Sequence, residues 1–172
     1  VKDFWQESGF LLTTEQRNLG IMETDWAENR AKLPQDIIRG TLGKLVDSVY
    51  STGELDRFRT RMERTPTGTE IYISHRGMQE VYTTTRQDQT VWQPRPSDPE
   101  LEAEFLRRLM VKLGVSQEQA KQVAATAAAA PVQTARVSNV GGQPIVQLND
   151  GFDRAWRRVG LALDRTGFTV ED

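Results

Sequence analysis

Residues 54–77, ELDRFRTRMERTPTGTEIYISHRG, carry the clearest hairpin signal in the chain. On the first arm Arg57, Arg59 and Arg61 alternate with Phe58, Thr60 and Met62, and TPTG then turns the chain. On the return arm Ile71 and Ile73 share one face, and Tyr72 and Ser74 the other. The arginine row reads as the solvated face of a sheet with one buried side, where charge also deters edge pairing. His75 falls on the Ile71/Ile73 face near the strand end. Its neighbour Ser74 points the other way, so the two form no nucleophile–base pair without a bulge. The expectation is a partly buried histidine at a sheet end, not a catalytic base.

Composition narrows the chemistry further. Among 172 residues, 22 Lys and Arg face 24 Asp and Glu, a net charge of −2 that argues against a dedicated nucleic-acid binder. Cysteine is absent, which removes disulfides, thiolate nucleophiles and cysteine metal sites from this segment. His75 is the single histidine, so any histidine triad must use it, and a zinc site would need mostly carboxylate ligands, which zinc rarely has. There is no GxxxxGK[ST] loop and no GxGxxG after a strand. No run of about 18 apolar residues is present, and no signal peptide is visible. No catalytic residue, cofactor site or metal site is expected.

Helices and further strands surround the hairpin. VKDFWQESG reads as the last turns of a helix ending at Gly9, and FLLTTEQRNLGIMETDW as two short strands turning at Asn18 to Gly20. In LPQDIIRGTLGKLVDSVY, residues 33–50, Ile38, Leu42, Leu45, Val46 and Val49 make an amphipathic helix opened by Pro34. One more strand is expected within VYTTTRQDQTVWQ. Leu101, Phe105, Leu109 and Leu113 then recur every four residues on a helix that ends at Gly114. Either Ser97 with Glu100 or Asp98 with Pro99 begins it. Residues 115–136 are rich in alanine, with Ser116 able to cap a short helix, and read as an interdomain linker. VSNVGGQPIVQLND supplies two β segments about Gly141 and Gly142.

The end of the chain repeats its beginning. DFWQESGFLLTTEQ and VGLALDRTGFTVED match when Gly9-Phe10 is laid on Gly167-Phe168: an apolar helix ends at glycine, and an aromatic starts a strand. Two copies so far apart imply duplicated domains rather than a solenoid. The layout expected is a domain at 1–114, a linker at 115–136, and the beginning of a second similar domain at 137–172, with the chain an excerpt cut at both ends.

DFWQESGFLLTTEQRNLGIMETDW, RFRTRMERTPTGTEIYISHRG and FDRAWRRVGLALDRTGFTVED together resemble the outer-membrane assembly lipoprotein family BamC, also called NlpB. The resemblance implies an α+β fold of helix-grip type, an antiparallel sheet packed by helices, and the start of a second such domain. It implies a non-catalytic accessory subunit of the β-barrel assembly machinery, acting as a scaffold or protein-interaction module. Its partners would be the other subunits, with a BamD-like lipoprotein contacted through a segment upstream. Attachment to the outer membrane would be through an N-terminal lipid anchor, with no nucleic acid involved. The alternative is a periplasmic domain binding a small apolar ligand between the sheet and the Leu101–Leu113 helix. A hydrolase built on His75, and nucleic-acid binding through the arginine row, follow at a distance.

Overall fold

The computed structural model describes residues 1–28, 53–86, 89–128, 135–166 and 168; the amphipathic stretch 34–50 lies outside them. In chain order its elements are α1 (Lys2–Glu7), β1 (Leu12–Gln16), β2 (Ile21–Thr24), β3 (Ala27–Glu28), β4 (Glu54–Thr65), β5 (Gly68–Tyr82) and β6 (Thr90–Arg95). They continue with α2 (Pro99–Lys112), α3 (Gln117–Ala128), β7 (Ala135–Val140), β8 (Gln143–Leu148) and α4 (Phe152–Thr166). The fold is α+β, with one antiparallel sheet in the order β1-β2-β4-β5-β6, β3 pairing with β4, and a separate two-stranded sheet of β7 and β8. Two units divide the chain, Val1–Glu102 and Ala103–Asp172.

In the first unit the expected hairpin forms the centre of the sheet, with Phe58 opposite His75 and Thr65 opposite Gly68 at the turn. The even-numbered side chains of β4 face an aromatic core. Trp5 stacks on Phe58 at 5.1 Å, and Phe10 meets Trp5 at 5.5 Å and Phe58 at 5.3 Å, both edge to face. Such pairs add roughly 0.5–1.5 kcal/mol each beyond the area they bury. The indole N–H of Trp5 donates to Thr60 Oγ1 at 2.8 Å, so the ring enters the core with its one polar atom satisfied.

Beyond Gly77 the strands depart from expectation. β5 continues to Tyr82, so Val81 and Tyr82 finish that strand, while Val91 and Trp92 belong to a separate β6 that runs through Pro94 to Arg95. A glycine and a proline look like strand breakers. Gly77 is instead paired on both sides, and Pro94, lacking an N–H, sits on an edge strand where no donor is required.

The helix termini follow the sequence closely. Gly9 takes φ 88°, Gly9 N–H donates to Gln6 O at 3.0 Å, and Phe10 N–H to Trp5 O at 2.9 Å. These are the two bonds of a Schellman cap, and the Trp5–Phe10 contact is the apolar one that accompanies it. Of the two starts considered for α2, the Asp98 cap forms: Asp98 Oδ1 accepts from Glu100 N–H at 3.0 Å and Leu101 N–H at 3.1 Å, with Pro99 first in the helix.

The part of α2 in the second unit buries Phe105 and Leu109 as their spacing predicts, whereas Leu113, past the helix end, is exposed. Ser116 Oγ accepts from Gln119 N–H at 3.3 Å and opens α3 as expected. β7 and β8 turn at Gly141 and Gly142. Along α4 the apolar residues Phe152, Trp156, Val159 and Leu163 are exposed.

Candidate functional site

Two charged networks lie on opposite faces of the main sheet. On the aromatic face His75 is fully buried, at 0% exposure, rather than partly buried as its strand-end position suggested. Its ring lies 5.2 Å from that of Phe58. Asp98 N–H donates to His75 Nδ1 at 2.9 Å, so that nitrogen carries no proton and Nε2–H donates to Asp56 Oδ1 at 2.8 Å. Arg95 forms an ion pair with the same Asp56 oxygen. The backbone N–H of His75 donates to Glu102 Oε1 at 2.9 Å, and Ser97 Oγ donates to that oxygen at 3.0 Å. The imidazole therefore joins the middle of the sheet to the capping residue of α2.

Strand register explains how these groups meet. Asp56 pairs with Gly77, and Gly77 with Arg95, so the three form one row across β4, β5 and β6. A Cβ on Gly77 would lie 2.5 Å from Arg95 Nε and 2.6 Å from Arg95 Cγ. The missing side chain is what lets Arg95 cross the middle strand and reach Asp56. Ser74 pairs with Arg59 and faces the other side, and both ring nitrogens of His75 are already engaged. Among the described residues no hydroxyl is bonded to the imidazole, and its one lone pair, on Nδ1, is taken by the Asp98 N–H.

The arginine row does not match the solvated face expected of it. Arg59 and Arg61 are each only 8% exposed. Glu23 is the reason for Arg59: it stands opposite that residue in the β2–β4 pairing. Arg59 Nη2 lies 3.3 Å from Glu23 Oε2, and Arg57 Nε 3.2 Å from Glu23 Oε1. Arg76 adds a longer contact of 3.7 Å to the same carboxylate. The guanidinium carbons of Arg57 and Arg76 each lie 5.8 Å from the ring of Trp26, within cation–π range. The attraction of three guanidiniums offsets the cost of taking this carboxylate out of water, so the cluster is not by itself a source of net stability.

Sequence reasoning placed His75 on the correct face but missed Asp56, Arg95, Glu102 and Glu23. Nothing in their local pattern marks them, because register alone brings them together. Among the described residues no group of three or more acidic or histidine side chains is placed to hold a metal ion. No helix among them is long and apolar enough to cross a membrane.

Fold and networks together define a mixed α+β protein built on an antiparallel sheet, whose buried polar groups link neighbouring strands and a helix start. Residues 1–127 match the outer membrane protein assembly factor BamC-like N-terminal domain. The chain is 60% identical over its full length to a protein of Thiobacillus denitrificans named outer membrane protein assembly factor BamC, and 58% identical, again over all of it, to one of the same name from Accumulibacter regalis. An uncharacterised protein of Neisseria meningitidis serogroup B is 45% identical over 99% of the chain. The chain spans 46% of the length of the first two relatives and 43% of the third. No solved structure matches it. The chain belongs to the BamC-like family.

Proposed function

We propose that this chain is part of an accessory subunit of the outer-membrane β-barrel assembly machinery and acts there as a non-catalytic scaffold or protein-interaction module. The observation that carries the reading is the 60% identity, over every residue of the chain, to a relative named as an outer membrane protein assembly factor. The engagement of both His75 nitrogens supports the non-catalytic part, since the chain's single histidine is committed to Asp56 and Asp98. Partners are the other subunits of the machinery, a BamD-like lipoprotein among them through a segment upstream of this chain. The protein is held at the outer membrane by a lipid anchor on that segment.

In the same reading residues 1–114 form one domain of helix-grip type, 115–136 a linker, and 137–172 the beginning of a second domain. The exposed stripe of Phe152, Trp156, Val159 and Leu163 supports this, because an apolar face at helical spacing is what a sheet-covering helix carries. Pull-down of the full-length protein with assembly-machinery subunits tests the function. Recovery of those subunits is expected, and recovery of none of them rejects the reading.

A further inference from the structure

We propose that His75 is a proton-operated latch on the start of α2: closed while Nδ1 is bare, opened when Nδ1 takes a proton. The geometry makes the two ring nitrogens unequal. Nε2–H donates to Asp56 Oδ1 and keeps that bond in either protonation state. Nδ1 accepts from Asp98 N–H at 2.9 Å, and a proton there sets one N–H against another. Acid thus strips the Asp98 amide of its acceptor while leaving the sheet contact in place. Asp98 is the capping residue of α2, so the first turn of the helix is what loosens.

Among the described residues, the charged groups around the ring come from three elements. β4 presents Asp56; β6 presents Arg95, which pairs with Asp56 and reaches Glu54 at 3.9 Å; and the start of α2 presents Asp98 and Glu102, the latter bound to the backbone of His75. Arg76, next in sequence, faces the opposite side with Glu23. Because Asp56 already has Arg95, a second cation beside it is not needed for neutrality, and the closed ring has no room for a donor at Nδ1. The opened ring takes up one proton in acid, so opening is linked to pH with a limiting slope of about tenfold per unit.

Hydrogen exchange of the intact chain between pH 7 and 5, corrected for the intrinsic pH dependence of amide exchange, tests this. Protection of the amides from Asp98 to Glu102 should fall by up to about tenfold per pH unit, while β4 and β5 keep theirs. His75→Gln retains an acceptor and a donor without titrating, and its protection should not vary with pH. Should that variant fail to fold, nitrogen NMR of the wild-type imidazole replaces it, and Nδ1 should become protonated over the same range in which protection is lost. The latch is overturned by protection that is constant across the range, or that falls equally in β4 and β5. It is also overturned if Nδ1 becomes protonated while the α2 amides stay protected, as they would if Nδ1–H turned to Glu102.

Discussion

In α1 the aromatic pair Phe4 and Trp5 is 5% and 0% exposed; in α4 Phe152 and Trp156 are 78% and 54% exposed. Yet both helices carry the same closing hydrogen bond. Phe10 N–H reaches back to Trp5 O at 2.9 Å, and Phe168 N–H to Leu163 O at 3.1 Å, the same six-residue closure. The resemblance between the two ends of the sequence is therefore a resemblance of helix termination, which depends on a few consecutive residues. Burial depends on a partner surface: Trp5 has Phe58 to stack on and Thr60 to receive its N–H.

The widest separation between the two helices should come from removing an indole from each. Trp5→Ala takes away a stacked ring and leaves Thr60 without its donor, a loss of roughly 3–5 kcal/mol for a large-to-small change in a packed aromatic core. Trp156→Ala should stay within about 0.5 kcal/mol, as substitutions at exposed positions do. Urea unfolding of this chain measures both. Equal losses would break the comparison, because they would mean that α4 is held in this chain as firmly as α1.

A second substitution sharpens the same point within the sheet, where burial comes from a neighbouring strand. Gly77→Ala sets a methyl group against the Arg95 side chain at 2.5 Å and should destabilise by about 1–3 kcal/mol, the range for overpacking. Much of that loss should disappear when Gly77→Ala is made on an Arg95→Ala background, because the clashing atoms are gone. The double-mutant cycle reads the coupling directly. Strict additivity would show that Arg95 does not lie over position 77.

What could be read from the sequence follows the line between local and non-local causes. The 54–77 hairpin, the Leu101, Phe105 and Leu109 part of the α2 stripe, the Gly9 and Gly114 terminators and the Ser116 cap each arise from spacing within a few turns, and the structure has them. The extension of β5 past Gly77 was hidden because the reason for a glycine there, Arg95, lies eighteen positions downstream on another strand. The burial of Arg59 was hidden for the same reason: an alternating arginine row looks solvated until register sets Glu23 opposite it. Asp56 was passed over because one carboxylate near the start of a strand carries no signal of its own.

Termination itself can be tested in isolation. Gly9 and Gly114 hold φ values of 88° and 102°, a region a side chain enters only with strain. An added Cβ meets nothing within 4 Å at either position, so the cost of alanine is conformational alone. Gly9→Ala and Gly114→Ala should each destabilise by about 1 kcal/mol, and by similar amounts despite their different surroundings. A loss at Gly9 several times that at Gly114 would show that the α1 cap is coupled to the aromatic core and is not a local device.

The smallest effect expected lies on α2, where Glu104 and its two arginine neighbours pair locally and are only partly buried. Arg107 donates to both oxygens of Glu104, at 2.8 and 2.7 Å, and Arg108 Nε donates at 2.7 Å. These hydrogen bonds, that from Arg107 first, hold the Glu104 carboxyl below its ordinary value against the opposing effect of burial. A carboxyl depressed in the folded state stabilises above its unfolded-state value and loses that contribution as pH falls through the folded one. Glu104→Gln should therefore cost a few tenths of a kcal/mol at pH 7, as exposed pairs on helices do. The gap to wild type should narrow as pH drops below the ordinary glutamate range and close in strong acid. Thermal unfolding of both proteins from pH 7 down to 3 follows it. A gap that holds its size in acid would mean that Glu104 acts through packing of its stem, not through its charge.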